Sequence, residues 1–146
     1  IMYTVNEIAK QSDAPAHVVR YYTRIGLIEP FSIQDNGYRL FKPNVVSRLR
    51  FIRLAKQLGF TLNEIRRILN HTDMGETPCP EVRNIIRRRI IENREKIEAM
   101  IRLQSRMEAA LETWEKLPDG MPDGRHVCHL IEGFSDAEKT GSGGAH

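Results

Sequence analysis

A chain of 146 residues, 40% hydrophobic and 28% charged, has the make-up of one compact soluble domain or of a small domain carrying a long appended helix. No run approaches the roughly 18 apolar residues that a membrane helix requires, nothing at the start reads as a secretory signal, and the expected compartment is the cytoplasm. Met2, after Ile1, reads as the natural start. The net charge of +3 is unevenly placed: residues 1–71 carry 11 Lys/Arg against 5 Asp/Glu, or +6, and residues 72–146 carry 11 against 14, or −3. A basic front half suits a polyanionic partner, because Lys and Arg that bind phosphates release the counterions held there.

Thr4-Val5-Asn6-Glu7 has the capping-box pattern, in which hydroxyl and carboxylate each satisfy a free amide. It predicts a helix over residues 5–11 with Val5, Ile8 and Ala9 turned inward. Asp13 is the expected N-cap of a second helix over 15–24, with Pro15 in its first turn and Val18, Val19 and Tyr22 inward. Two short helices across a tight polar turn make a helix-turn-helix. Gly26 is expected to end the second helix. Residues 27–41 then predict two short strands around Asp35-Asn36-Gly37, a hairpin turn and hence a wing. A third helix opens at Pro43 or Asn44, carries Val45, Val46, Leu49, Ile52 and Ala55 on one face, and stops at Gly59. Thr61-Leu62-Asn63-Glu64 is a second capping box and starts a fourth helix that runs to about Asn70.

Residues 71–80 hold Asp73, Gly75, Pro78 and Pro80 and predict a loop. Residues 81–116 contain neither Gly nor Pro and predict one continuous helix, about 54 Å long. Along it Ile86, Ile90, Asn93, Ile97, Met100, Gln104, Met107, Leu111 and Trp114 alternate at spacings of four and three, a heptad seam with two polar interruptions. Such a seam exposes large apolar side chains unless a partner covers it. Pro118-Asp119-Gly120 breaks the helix, a short apolar segment follows at 126–134, and the Gly/Ser-rich end at 135–146 is expected to be disordered.

Tyr3-Thr4-Val5 with Glu7-Ile8-Ala9, then Val19-Arg20-Tyr21-Tyr22, Gly26-Leu27-Ile28, Asn36-Gly37-Tyr38-Arg39 and Gly59-Phe60-Thr61-Leu62, in this order and spacing, resemble the MerR family of bacterial transcription regulators. The resemblance spans roughly residues 2–131. It implies a mainly α fold: a winged helix-turn-helix DNA-binding domain with a connecting helix pair at 2–71, a linker at 72–80 and an antiparallel coiled-coil dimerisation helix at 81–116. An effector-binding loop and short C-terminal segment at 117–134 complete it. It further implies a homodimer on a palindromic promoter operator in double-stranded DNA, distortion of that DNA to activate transcription, and RNA polymerase as a partner, with no role for a membrane. An enzyme is not expected, because no Gly-rich phosphate loop, nucleophile motif or paired acid/base signature is present.

Arg20 and Tyr21 are the favoured DNA contacts, since Arg can grip a guanine edge or a phosphate and a Tyr hydroxyl can hold the backbone. Tyr22 serves DNA or the core equally well, and His17, one turn before Tyr21, reads as a base contact or as a merely exposed side chain. Tyr38 and Arg39, on the wing, match family positions that touch phosphate. Arg48, Arg50, Arg53 and Lys56 read as a backbone-binding or solvated face, and Arg87-Arg88-Arg89, interleaved with Glu, as a solvated helix flank.

Cys79 and Cys128 are the two cysteines, and a reducing compartment argues against a disulfide between them. Buried thiol, metal ligand and redox sensor all remain open. Thiolate beside imidazole is a zinc-like donor set, and Cys128 is flanked by His126 and His129. In metal-sensing family members a Cys at the start of the dimer helix and a Cys in the later loop bind metal across the dimer, and Cys79 and Cys128 match those positions. Sensors of mercury, lead, cadmium or zinc usually carry a further Cys upstream of the last one, where this chain reads Pro118-Asp119-Gly120. The expected effector is therefore a divalent metal ion held by Cys79, Cys128 and a third ligand from His126, His129 or Asp119. That set places zinc or cadmium ahead of mercury or lead. The alternative is a sensor of thiol-reactive or oxidative stress, or of an organic ligand, with no metal.

Overall fold

The computed structural model describes residues 1–134, so the tail expected at 135–146 lies outside the described residues. Two compact units divide the chain between Arg87 and Arg88. The elements are α1 (Val5–Ser12), α2 (Ala16–Arg24), β1 (Ser32–Ile33), β2 (Arg39–Leu40), α3 (Asn44–Gln57), α4 (Leu62–Asp73) and α5 (Cys79–Trp114). The chain is mainly helical, with a winged helix-turn-helix and one long helix.

Both capping boxes form. Thr4 Oγ1 accepts from the Glu7 N–H at 3.2 Å while the Glu7 carboxylate accepts from the Thr4 N–H at 3.1 Å, and Thr61 and Glu64 do the same at the start of α4. Asp13 does not cap α2. It ends α1 in the left-handed conformation (φ 55°), its N–H reaching the Ala9 and Lys10 carbonyls, and α2 opens after an extended Pro15 with no side-chain cap. Asp is suited to both tasks, because its short polar side chain also tolerates the left-handed region.

The first unit packs around Ile8, Val19, Leu27, Ile28, Phe41, Ile52, Ile65 and Ile68, all fully buried. β1 and β2 pair antiparallel, Ser32 opposite Leu40 and Ile33 opposite Arg39. Phe41 follows directly and exchanges backbone hydrogen bonds with Tyr3 (2.8 and 2.7 Å), which ties the wing to the start of α1. Its ring, 0% exposed, fills the core from that tie.

Several arginines donate to backbone carbonyls. Arg48 Nε donates to Leu27 O (2.8 Å), Arg53 Nη1 to Asp13 O (2.7 Å) and Arg66 Nη2 to Ile25 O (2.6 Å), with Arg50 reaching Gln11 O at 3.3 Å. Arg50 and Arg53 remain exposed, as a solvated face allows, while Arg48 is half-buried; loop carbonyls near a core need donors, and long guanidinium stems supply them.

Arg48 also grips Asp73 with both oxygens, at 2.8 and 3.1 Å. That hydrogen bond holds the Asp73 carboxyl below its ordinary value, and burial opposes it. A carboxyl lowered in the folded state stabilises above its unfolded value and loses the effect as pH falls through the folded one. Asp73→Asn is expected to lower the urea midpoint at neutral pH by a margin that shrinks in acid, below the ordinary carboxylate range. A margin unchanged between pH 6 and acid, measured by circular dichroism, contradicts this.

The fourth helix runs past Asn70 to Asp73, and α5 already begins at Cys79, so the loop expected at 71–80 shortens to residues 74–78. Pro80 falls in the first turn of α5, where a missing N–H costs nothing. At its far end α5 stops at Trp114, two residues short of the expected 116. Its first turns belong to the core of the first unit, with Ile85 buried and Val82 and Ile86 packed on the same cluster. Ile86 is therefore not part of the open seam.

In the second unit, Trp114 Nε1 donates to Leu130 O at 2.9 Å and its ring meets Phe134 edge-on at 6.1 Å. Trp114 is thereby used within the chain. What remains exposed along α5 is the row Ile90, Ile97, Met100, Met107 and Leu111, with Ile91 and Ile101 beside it. Among the described residues, no helix is long and apolar enough to cross a membrane.

Candidate DNA interface and effector site

α2 presents His17, Arg20 and Tyr21 outward, while Val19 on its other face is fully buried. Tyr21 is 40% exposed, and Arg24 lies over its ring at 5.2 Å. Tyr22 is half-buried against the core, its ring 5.7 Å from that of Tyr21. Burial, and then the neighbouring Tyr21, raise the Tyr22 phenol above its ordinary value, so the hydroxyl stays a neutral donor. On the wing, Tyr38 is 67% exposed and Arg39 is exposed beside it.

A cleft brings these pieces together. It is lined by Thr4, Val5 and Asn6 at the start of α1, by Arg20 of α2, and by Gly37, Tyr38 and Arg39 of the wing. Two guanidinium groups thus line one depression, and their charge suits a phosphate. Thr4 and Asn6 were not singled out from the sequence as interface residues, since their capping pattern already accounted for them. The wing tip is shaped by the Asn36 side chain, which accepts from the Tyr38 N–H at 3.0 Å, and by Gly37 at φ 85°. At the wing base Lys42 sits over the exposed Phe31 ring, 4.5 Å from its centroid.

Cys79, an exposed free thiol, is the first residue of α5, and its N–H reaches Thr77 Oγ1 at 3.3 Å. The turn around it is braced by Glu81, which binds Arg67 at 2.9 Å and His71 Nε2 at 2.8 Å, while His71 Nδ1 meets Glu76 at 3.1 Å. The hydrogen bond to Glu76 and, after an opposing effect of burial, that to Glu81 raise His71 above its ordinary value.

In the second unit Cys128 is a half-buried free thiol just before the helical residues 129–134. His129 Nε2 lies 3.1 Å from Pro118 O, and its ring covers Gly120 so closely that a Cβ there would fall 2.3 Å from Cδ2. His126 is placed by Asp123, whose Oδ1 accepts from the N–H groups of Arg125 and His126 at 2.7 and 2.8 Å. Its Nδ1 lies 3.6 Å from Oε2 of Glu132, a residue unmarked by any motif. Asp119 is exposed in the loop.

Among the described residues no three His, Cys, Asp or Glu side chains converge into a set that could hold a metal ion.

The description "MerR HTH family regulatory protein" matches residues 3–72, and "MerR, DNA binding" matches residues 46–110. The mercuric resistance operon regulatory protein of Bacillus cereus is 31% identical over 89% of this chain and 95% of its own length. The chain belongs to the MerR family. Among solved structures, PbrR691 from Ralstonia metallidurans CH34 in complex with lead(II) is 29% identical, with a TM-score of 0.69 over 88% of this chain and 96% of that one. EcmrR, in the EcmrR–DNA complex of EcmrR-RPo, is 29% identical, with a TM-score of 0.61 over 78% of this chain and 40% of that one. MerR-family proteins are DNA-binding transcription regulators, not enzymes, and the cleft between α2 and the wing lies inside the matched helix-turn-helix region.

Proposed function

We propose that this MerR-family chain is an effector-responsive activator, a homodimer that distorts a palindromic promoter operator when a divalent metal ion binds. The observation that carries the metal reading is the pair of free thiols, Cys79 opening α5 and Cys128 before residues 129–134, which the resemblance to metal-sensing family members matches to ligand positions, one usual Cys being absent. The named effectors of relatives support it: one is a mercuric resistance regulator and another was solved with lead(II). The exposed apolar row on α5 supports the dimer, because a second copy of the same helix supplies a matching surface.

Cys79 of one subunit and Cys128 of the other would supply thiolates, with His126, His129 or Asp119 as third ligand. A cation held there would supply the positive charge that offsets the two thiolates. Mixed sulfur, nitrogen and oxygen donors place zinc or cadmium ahead of mercury or lead. Bending or untwisting an operator costs several kcal/mol, so the effector must bind the two protein states unequally. RNA polymerase is the further partner that an activator of this kind requires. An organic effector is the second reading, favoured by the apolar cleft between Trp114, Leu117, Leu130 and Phe134.

Zinc, cadmium and mercury titrated into reduced protein are expected to bind the wild type far more tightly than Cys79→Ser/Cys128→Ser. Equal affinities overturn the metal reading. For DNA, Arg39→Ala is expected to weaken all duplexes alike and to lower the salt slope by about one unit, as one phosphate contact is lost. Arg20→Ala is expected to cost about 1–3 kcal/mol and to relax preference at particular base pairs. Anisotropy titrations across salt and sequence check both, and unchanged affinity in both variants contradicts docking through α2 and the wing.

A further inference from the structure

We infer that Arg24 is a further phosphate contact of the DNA-binding face, and that Tyr21 serves it as a positioning residue, through its ring rather than its hydroxyl. This rests on the docking of α2 and the wing on DNA proposed above.

Spacing along α2 sets the arrangement. His17, Arg20, Tyr21 and Arg24 stand at i, i+3, i+4 and i+7, all exposed, on the side of the helix away from the buried Val19. Arg24 occupies the last turn, and its guanidinium carbon lies 5.2 Å from the centroid of the Tyr21 ring. The Tyr22 ring, packed against the core, backs Tyr21 at 5.7 Å with a tilt of 44°. The core thus steadies Tyr22, Tyr22 steadies Tyr21, and Tyr21 holds the cation.

Arg24 differs from the arginines of α3 and α4 in what it leaves unused. Arg48, Arg53 and Arg66 donate to backbone carbonyls, and Arg67 donates to Glu81. Among the described residues Arg24 has the Tyr21 ring and neither a hydrogen bond nor an ion pair. A cation attracted by the electrons of a ring uses none of its N–H groups, so all five donors stay open to an acceptor. Its position favours phosphate as that acceptor. In a helix-turn-helix the N-terminal residues of the recognition helix meet base edges, which leaves a residue of the last turn to the backbone.

The ring matters because a long side chain loses rotamer freedom when it grips a ligand, and one already held loses less. The rival role for Arg24 is a favourable charge at the negative end of the helix dipole. That role is indifferent to Tyr21 and leaves the salt dependence of DNA binding unchanged.

The test uses the full chain and a palindromic duplex that the wild type selects from a random pool, with affinity followed by anisotropy from low to moderate salt. Arg24→Gln is expected to weaken binding by about three- to tenfold and to lower the salt slope by about one unit per bound subunit. Arg24→Lys, which keeps the charge, should keep the slope. Tyr21→Phe is expected to stay within about twofold of wild type, since the ring remains. Tyr21→Leu keeps an apolar side chain that a helix accepts, yet should weaken binding by about threefold. Added to Arg24→Gln, it should change the affinity by less than about twofold, because both substitutions remove one coupled contact. If Tyr21→Leu loses its helical circular dichroism, Tyr21→Phe and the Arg24→Gln slope decide. A Tyr21→Phe loss as large as that of Tyr21→Leu, losses at the two positions that multiply, or an unchanged slope in Arg24→Gln overturns the inference; the docking reading stands if Arg20→Ala and Arg39→Ala still weaken binding. If those two variants bind as the wild type does, docking through α2 and the wing fails and takes this inference with it.

Discussion

Lysine at both Ile97 and Met100 is expected to convert the protein to a monomer and to cut its affinity for a palindromic duplex by about 100-fold or more. Both side chains lie mid-row on α5, 59% and 64% exposed in the single chain, so the substitutions disturb nothing within it. In a dimer they would bury two charges per subunit against apolar neighbours, which association cannot offset. Linked half-site binding is then lost, because each winged domain must find its half-site alone. Sedimentation gives the mass, and anisotropy on a full operator gives the affinity. A monomeric variant that still binds the full operator as tightly as wild type contradicts the account.

Phe41→Ala is expected to destabilise the first unit by about 3–5 kcal/mol, on the order of 12–40 °C in midpoint. The ring is fully buried, and the backbone of the same residue ties the wing to Tyr3. Removal of the ring leaves a cavity where α1, the wing and the core meet, so the cleft holding Arg20 and Arg39 should lose its geometry as well. Thermal unfolding followed by circular dichroism, with DNA binding at a temperature where the variant is still folded, checks both effects. A loss below about 1 kcal/mol would show that the surroundings collapse to fill the space.

Features that depend on near neighbours were legible in the sequence. The capping boxes at Thr4 and Thr61 and the Asn36-Gly37 turn are complete within four residues, and each forms as expected. Asp13 misled because one residue type serves two helix ends, and only the path of the chain decides between them. The arginine ties to Leu27, Asp13 and Ile25 span 21, 40 and 41 residues, distances at which no spacing rule operates. The heptad seam was legible as a pattern but not in extent: Ile86 is taken by the core of the first unit and Trp114 by Leu130 and Phe134. At the effector segment, Cys128 and His126 announced themselves by residue type. Glu132 did not, because a lone Glu in a charged chain carries no signal until its carboxylate is seen beside His126 and the Val127 amide.

The most direct test of the account is equilibrium binding of the wild-type protein to a palindromic promoter duplex, with stoichiometry and affinity followed across salt concentration. Two chains per duplex are predicted, with log affinity falling linearly as log salt rises and a clear preference over random duplex. One chain per duplex, or binding indifferent to both salt and sequence, would contradict it.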